Sequence, residues 1–167
     1  MSNTKQNLQD AFAGESQANR KYLFFAEKAE SEGHPGIARL FRAAAEAETV
    51  HARNHLVAMD GIGSTSDNLG VAVGGEHYEF TQMYPGFIEQ AKADNNKSAE
   101  ASFYKANAVE KIHHRQYQQA LESLKAGQSL GDEPYFVCQV CGNTVLGEAP
   151  DICPICGSPK SQFNQVD

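Results

Sequence analysis

Over its first 137 residues the chain has no cysteine, and nowhere in its 167 residues does an apolar run approach the roughly 18 to 20 that span a bilayer. The first absence excludes a disulfide framework for the body of the protein. All four cysteines fall in the last thirty residues as two close pairs, which is metal-site usage. Positive charge is also scarce, with 14 basic against 21 acidic residues and a net charge of −7. That balance offers no electrostatic footprint for nucleic acid or for anionic lipid. The N-terminus, Met1 to Asn7, opens directly into polar sequence without an apolar signal core, so a soluble cytoplasmic protein is expected, with neither a nucleic-acid nor a membrane partner.

What is present is helical periodicity. From Asn3 to about Ser31, Leu8, Phe12, Asn19, Tyr22, Ala26 and Ala29 recur at intervals of three and four, with Glu15 in the gap. Gly33-His34-Pro35-Gly36 breaks this helix. A second face then runs through Ile37, Phe41, Ala44 and Ala58, with Glu48, His51 and His55 in its middle. Residues 61–75 are rich in glycine and small polar groups and read as a long connection. A third helix is expected from about Glu76 to Ala93, kinked where Pro85 lacks the N–H that would bond the Thr81 carbonyl. The fourth runs from about Lys97 to Ala126 and stops at Gly127. Four long helices with one long link between the second and third predict a mainly α, ferritin-like four-helix bundle with one long crossover. After Pro134 the period vanishes and the cysteine pairs begin, which predicts domains of 1–133 and 134–167.

Burying a lone carboxylate costs several kcal/mol, and a cluster of carboxylates repels itself, so glutamates on helix seams need compensating cations. Glu15 lies on the first helix, Glu48-x-x-His51 on the second, Glu76 and Glu79 on the third and Glu110-x-x-His113 on the fourth. Residues i and i+3 share a helix face, so each Glu and its His can grip the same metals. One Glu from each of two helices with Glu-x-x-His from the other two matches the ligand set of di-iron and di-manganese bundle proteins. Glu79 exceeds that set by one carboxylate. His114 points about 100° away from His113, toward the surface or a supporting hydrogen bond. His55, one turn beyond His51, suits core packing or a supporting hydrogen bond.

In the tail, Cys138-x-x-Cys141-Gly142 and Cys153-x-x-Cys156-Gly157 are separated by eleven residues. Each pair aims two thiolates inward, and the following glycine lets a backbone N–H approach sulfur. Four thiolates form a tetrahedral site that suits zinc or a single iron. Tyr135, Phe136, Val137, Ile152, Ile155 and Phe163 are too few to fold this segment unaided, so the metal acts as its core.

Gly14-Glu15-Ser16-Gln17-Ala18, Glu48-x-x-His51, Gly75-Glu76-His77-Tyr78-Glu79 with Met83-Tyr84-Pro85, Glu110-x-x-His113 and the two cysteine knuckles together resemble the rubrerythrins over essentially the whole chain. The resemblance implies two irons, oxo- and carboxylate-bridged, on Glu15, Glu48, His51, Glu76, Glu79, Glu110 and His113. It implies one rubredoxin-like iron on Cys138, Cys141, Cys153 and Cys156, with zinc as the other occupant. It further implies reduction of hydrogen peroxide in oxidative stress defence, an exchange between Glu79 and His51 at one iron, and Tyr22 and Tyr84 near the site. Electrons would come from an external donor, a rubredoxin or an NAD(P)H-dependent reductase. A ferroxidase or oxygen-reducing protein, and a structural zinc module, are the alternative readings.

From His113 to Gly127 is about 21 Å of helix at ~1.5 Å per residue. Residues 128–134 can return at most about 25 Å fully extended. This taut geometry predicts that the tail serves a partner in an antiparallel homodimer, with electron transfer between subunits.

Overall fold

The helix ends are set by local backbone chemistry. In the computed structural model, which describes residues 3–166, α1 (Asn3–Ser31) and α2 (Pro35–Ala58) form an antiparallel hairpin. At its turn Gly33 adopts a φ of +81°, while the His34 amide donates to the Ala29 carbonyl and the Gly33 amide to that of Glu30. These two bonds satisfy carbonyls that α1 leaves open, and Pro35 starts α2 where no donor is needed. Ala26, Ala29 and Ala38 are buried in this hairpin against Phe41, small residues that let the backbones approach closely. Asn19 adds a polar clamp, its side-chain amide donating to the Ala45 carbonyl at 2.7 Å and to Thr49 Oγ1 at 2.9 Å.

The chain divides into two units after Gly63. The second begins with α3 (Thr65–Tyr78), followed by a π-helical turn (Glu79–Met83), α4 (Tyr84–Ala93) and α5 (Lys97–Lys125). Residues expected to form a long connection are therefore mostly helix. The overriding signal is a capping box: Ser64 Oγ accepts from the Asp67 amide, and the Asp67 carboxylate accepts from the Ser64 amide. Gly70, Gly74 and Gly75 lower helix propensity without preventing the helix. The disturbance expected at Pro85 takes a specific form. The Tyr84 amide bonds the Glu79 carbonyl, five residues back, so the ladder is already re-registered where proline removes its donor. Gly127, at φ +68°, ends α5 as expected.

Beyond α5, strands β1 (Tyr135–Cys138), β2 (Thr144–Leu146) and β3 (Phe163–Val166) form an antiparallel sheet in the order β2-β1-β3. Its core is Cys138, Ala149, Cys153 and Phe163, with Phe136, Val145 and Ile155 packed on it. Ile152, expected in that core, is exposed.

Thr144 on β2 meets His113 and Gln116 on α5 of the same chain, a contact that the taut return through residues 128–134 allows.

Candidate metal centres

Among the described residues, three side-chain clusters have ligand atoms within 4.8 Å of one another. In the first, Glu15 from α1 meets Glu48 and His51 from α2. His51 Nδ1 lies 2.8 Å from Glu48 Oε2 and 3.9 Å from Glu15 Oε1. In the second, Glu76 from α3 meets Glu110 and His113 from α5. His113 Nδ1 lies 2.8 Å from Glu110 Oε2 and 3.9 Å from Glu76 Oε1. The two clusters share one plan, a Glu-x-x-His on one helix completed by a glutamate from an earlier helix.

The electrostatics of the second cluster are those of carboxylates short of positive charge. Burial, then the Glu110 carboxylate, raise Glu76 to about 7. Glu79, at the start of the π turn, is raised by burial and then by Glu110, which places it in the same field although it stands outside the three-residue cluster. Its hydrogen bond to Glu110 raises His113. Tyr84 is raised by burial and then by Glu110, Glu79 and Glu76, and its ring packs near Phe87 and Phe103. Tyr22 sits instead among the rings of Phe25 and Phe41. His114 Nδ1 donates to the Val73 carbonyl oxygen at 3.1 Å as a supporting contact, and its ring lies near those of His77 and Phe80.

The third cluster is Cys138, Cys141, Cys153 and Cys156. Cys138 and Cys156 sulfurs are 3.7 Å apart, and those of Cys141 and Cys153 are 3.6 Å apart. A tetrahedral metal with bonds of about 2.3 Å requires sulfur–sulfur edges of about 3.8 Å, so the four thiols fit one ion. They are too far apart for disulfides. Gly142 and Gly157 adopt φ of +82° and +75°, and their amides close the knuckles onto the Cys138 and Cys153 carbonyls. Two supporting residues were not foreseen. Buried Asn143 directs Nδ2 at Cys153 Sγ from 3.7 Å, and Ser158 Oγ lies 3.2 Å from Cys156 Sγ. Ser158 is the main cause that lowers the Cys156 thiol to about 6, while burial raises Cys141. No motif marks Asn143 or Thr144. Ser158, two residues after Cys156, could have been read as a donor to sulfur.

A ferritin-like helical body bearing paired Glu-x-x-His motifs, joined to a small tetrathiolate domain, defines the class. The rubrerythrin family model matches residues 6–121, and that of the rubrerythrin rubredoxin-like domain matches 136–164. The chain belongs to the rubrerythrin family. It is 40% identical to rubrerythrin-2 of Clostridium acetobutylicum, covering 93% of this chain and 92% of that protein. It is 35% identical to nigerythrin of Nitratidesulfovibrio vulgaris, over 96% and 85% of the two chains. Against the solved structure of fully reduced, all-ferrous nigerythrin it is 33% identical, covers 99% of this chain and 88% of that one, and reaches a TM-score of 0.59. Rubrerythrins bind a di-iron site and a rubredoxin-like Fe(Cys)4 centre, are oxidoreductases, are typically dimeric and take electrons from external donors. Among the described residues no helix is long and apolar enough to cross a membrane.

Proposed function

We propose that the protein is a cytoplasmic peroxidase that reduces hydrogen peroxide to water in oxidative stress defence. The observation that supports it best is the repeated cluster, Glu15 with Glu48 and His51, and Glu76 with Glu110 and His113. Two ferrous ions, when bound, supply the two electrons required by H2O2 + 2 e⁻ + 2 H⁺ → 2 H2O. In this reading Glu15, Glu48, Glu76, Glu110 and His113 would hold the two metals, Glu48 and Glu110 as the carboxylates shared between them. Glu79 and His51 alternate at one of them. Exchanging an anionic for a neutral ligand on reduction keeps the charge of a poorly solvated site near balance. Tyr22 and Tyr84 stand near the substrate, Tyr84 kept protonated by the carboxylates beside it.

Residues 1–133 form the di-iron bundle in this reading, and 134–167 the electron-entry domain. Cys138, Cys141, Cys153 and Cys156 hold one iron that passes electrons singly from a rubredoxin or an NAD(P)H-dependent reductase. An antiparallel homodimer with electron transfer between subunits remains part of the proposal, and the contact of Thr144 with His113 offers a second route within one chain. Anaerobic loading with iron, metal analysis and stoichiometric titration with peroxide test the reading. One peroxide consumed per pair of carboxylate-bound ferrous ions is expected. Faster steady-state turnover with oxygen than with peroxide would establish the ferroxidase alternative, and a colourless protein as purified would establish the zinc module.

A further inference from the structure

Thr144 stands between two candidate metal sites, and its hydroxyl has only one proton to give. Oγ1 lies 3.0 Å from the Gly142 carbonyl oxygen and 2.9 Å from His113 Nε2. With the hydroxyl proton donated to the Gly142 carbonyl, the remaining lone pairs of Oγ1 are free to accept. That arrangement matches a His113 ring with its proton on Nε2, 2.9 Å from Oγ1. When the ring is neutral this leaves a bare lone pair on Nδ1, the atom that faces Glu110 Oε2 at 2.8 Å and Glu76 Oε1 at 3.9 Å.

We propose that Thr144 is a positioning residue that accepts from His113 Nε2–H and thereby fixes the imidazole tautomer whose Nδ1 is presented to the carboxylates. The use of that lone pair by a metal rests on the proposed function; the tautomer does not. Ligating histidines commonly depend on such a partner for their other ring nitrogen, and its loss costs about 10- to 100-fold in metal affinity. Here the partner comes from the other domain. Gln116, one turn from His113, donates to the Thr144 carbonyl at 3.0 Å, and Val137 on β1 pairs with Thr144 in the sheet. The adjoining Asn143 accepts from the Cys138 amide and reaches toward Cys153 Sγ. The cysteine knuckle therefore places the hydroxyl that orients the histidine.

The test uses the full chain labelled with ¹⁵N-histidine and loaded with diamagnetic zinc. For the natural chain, His113 is expected to show its proton on Nε2, slowly exchanging with water. Thr144→Val, which keeps the shape and removes the acceptor, should speed that exchange at least tenfold and weaken zinc binding at the Glu76 cluster by about 10- to 100-fold. Zinc at the four cysteines should be unaffected, and Thr144→Ser should restore both quantities. Thr144→Ala is read in the same way if the valine disturbs the sheet. A proton found on Nδ1, or exchange in Thr144→Val and Thr144→Ala equal to that of the natural chain, overturns the proposal. If the Glu76 cluster takes no zinc while His113 keeps its slowly exchanging Nε2–H, the tautomer assignment stands and the di-iron reading fails.

Discussion

The amide of Tyr84 donates to the carbonyl of Glu79, one residue further back than an α-helix allows. The extra residue rotates everything before it relative to everything after it by about 100°. It separates the register of Glu76 and Glu79 from that of Tyr84 and the α4 face that buries Ile88 and Ala91. Deleting Gln82 should restore continuous α geometry and force one of these two faces out of register. Helix content by circular dichroism should change little, while peroxide turnover should be lost. Retention of full turnover would show that the π turn has no part in placing Glu79.

A second expectation concerns pH. Burial and Glu110 raise Glu76 from 4.5 to about 7, so the folded metal-free protein holds a proton that the unfolded chain has released. The stability contributed by this group is fully present below about 4.5 and is lost as pH rises through about 7. Metal binding requires the ionised carboxylate and expels that proton. Apparent zinc affinity at the Glu76 cluster should therefore fall about tenfold per pH unit below about 7, and more steeply because His113 is raised as well. Calorimetric titrations at about pH 6 and pH 8 read the difference, and equal affinities would contradict it.

Ser158 should set the poise of the tetrathiolate iron. Its hydroxyl lies at Cys156 Sγ and, donated to a thiolate, stabilises the more negative, reduced site. Ser158→Ala removes one hydrogen bond worth about 1 kcal/mol, so the reduction potential should fall by on the order of 40 mV. Voltammetry of the iron-loaded protein measures this directly. An unchanged potential would mean that water replaces the hydroxyl without loss.

Cys138→Ser separates electron entry from chemistry. Cys138 is almost wholly buried in the core of the small domain, so its sulfur cannot be replaced without disturbing the metal. Reduced beforehand by dithionite, this variant should still consume peroxide once, and it should fail to cycle on a protein donor. Loss of the single turnover as well would make the domain a structural support for α5.

Local patterns were legible in the sequence where the interaction itself is local. Glu48 and His51, and Glu110 and His113, meet because i and i+3 share a helix face, and the cysteine knuckles close within five residues. The Ser64–Asp67 box was equally local, yet it was masked by the glycines that follow it. Asn19 was visible as a seam residue, but its reach to Ala45 and Thr49 depends on how α1 and α2 pack. Thr144 could not be found from any motif, because its partner lies 31 residues away and nothing about an isolated threonine predicts an imidazole. The contact of the tail with α5 was hidden for a similar reason: chain length bounds what a linker can reach and is silent on which surface it finds.

The two carboxylate clusters are each assembled from neighbouring helices on one side of Gly63. Translation delivers these halves in order. Glu15, Glu48 and His51 can gather as soon as the α1–α2 hairpin closes, before Ser64 has been added to the nascent chain, whereas Glu76, Glu110 and His113 wait for α5. Each half then needs only short-range encounters to organise its acidic residues.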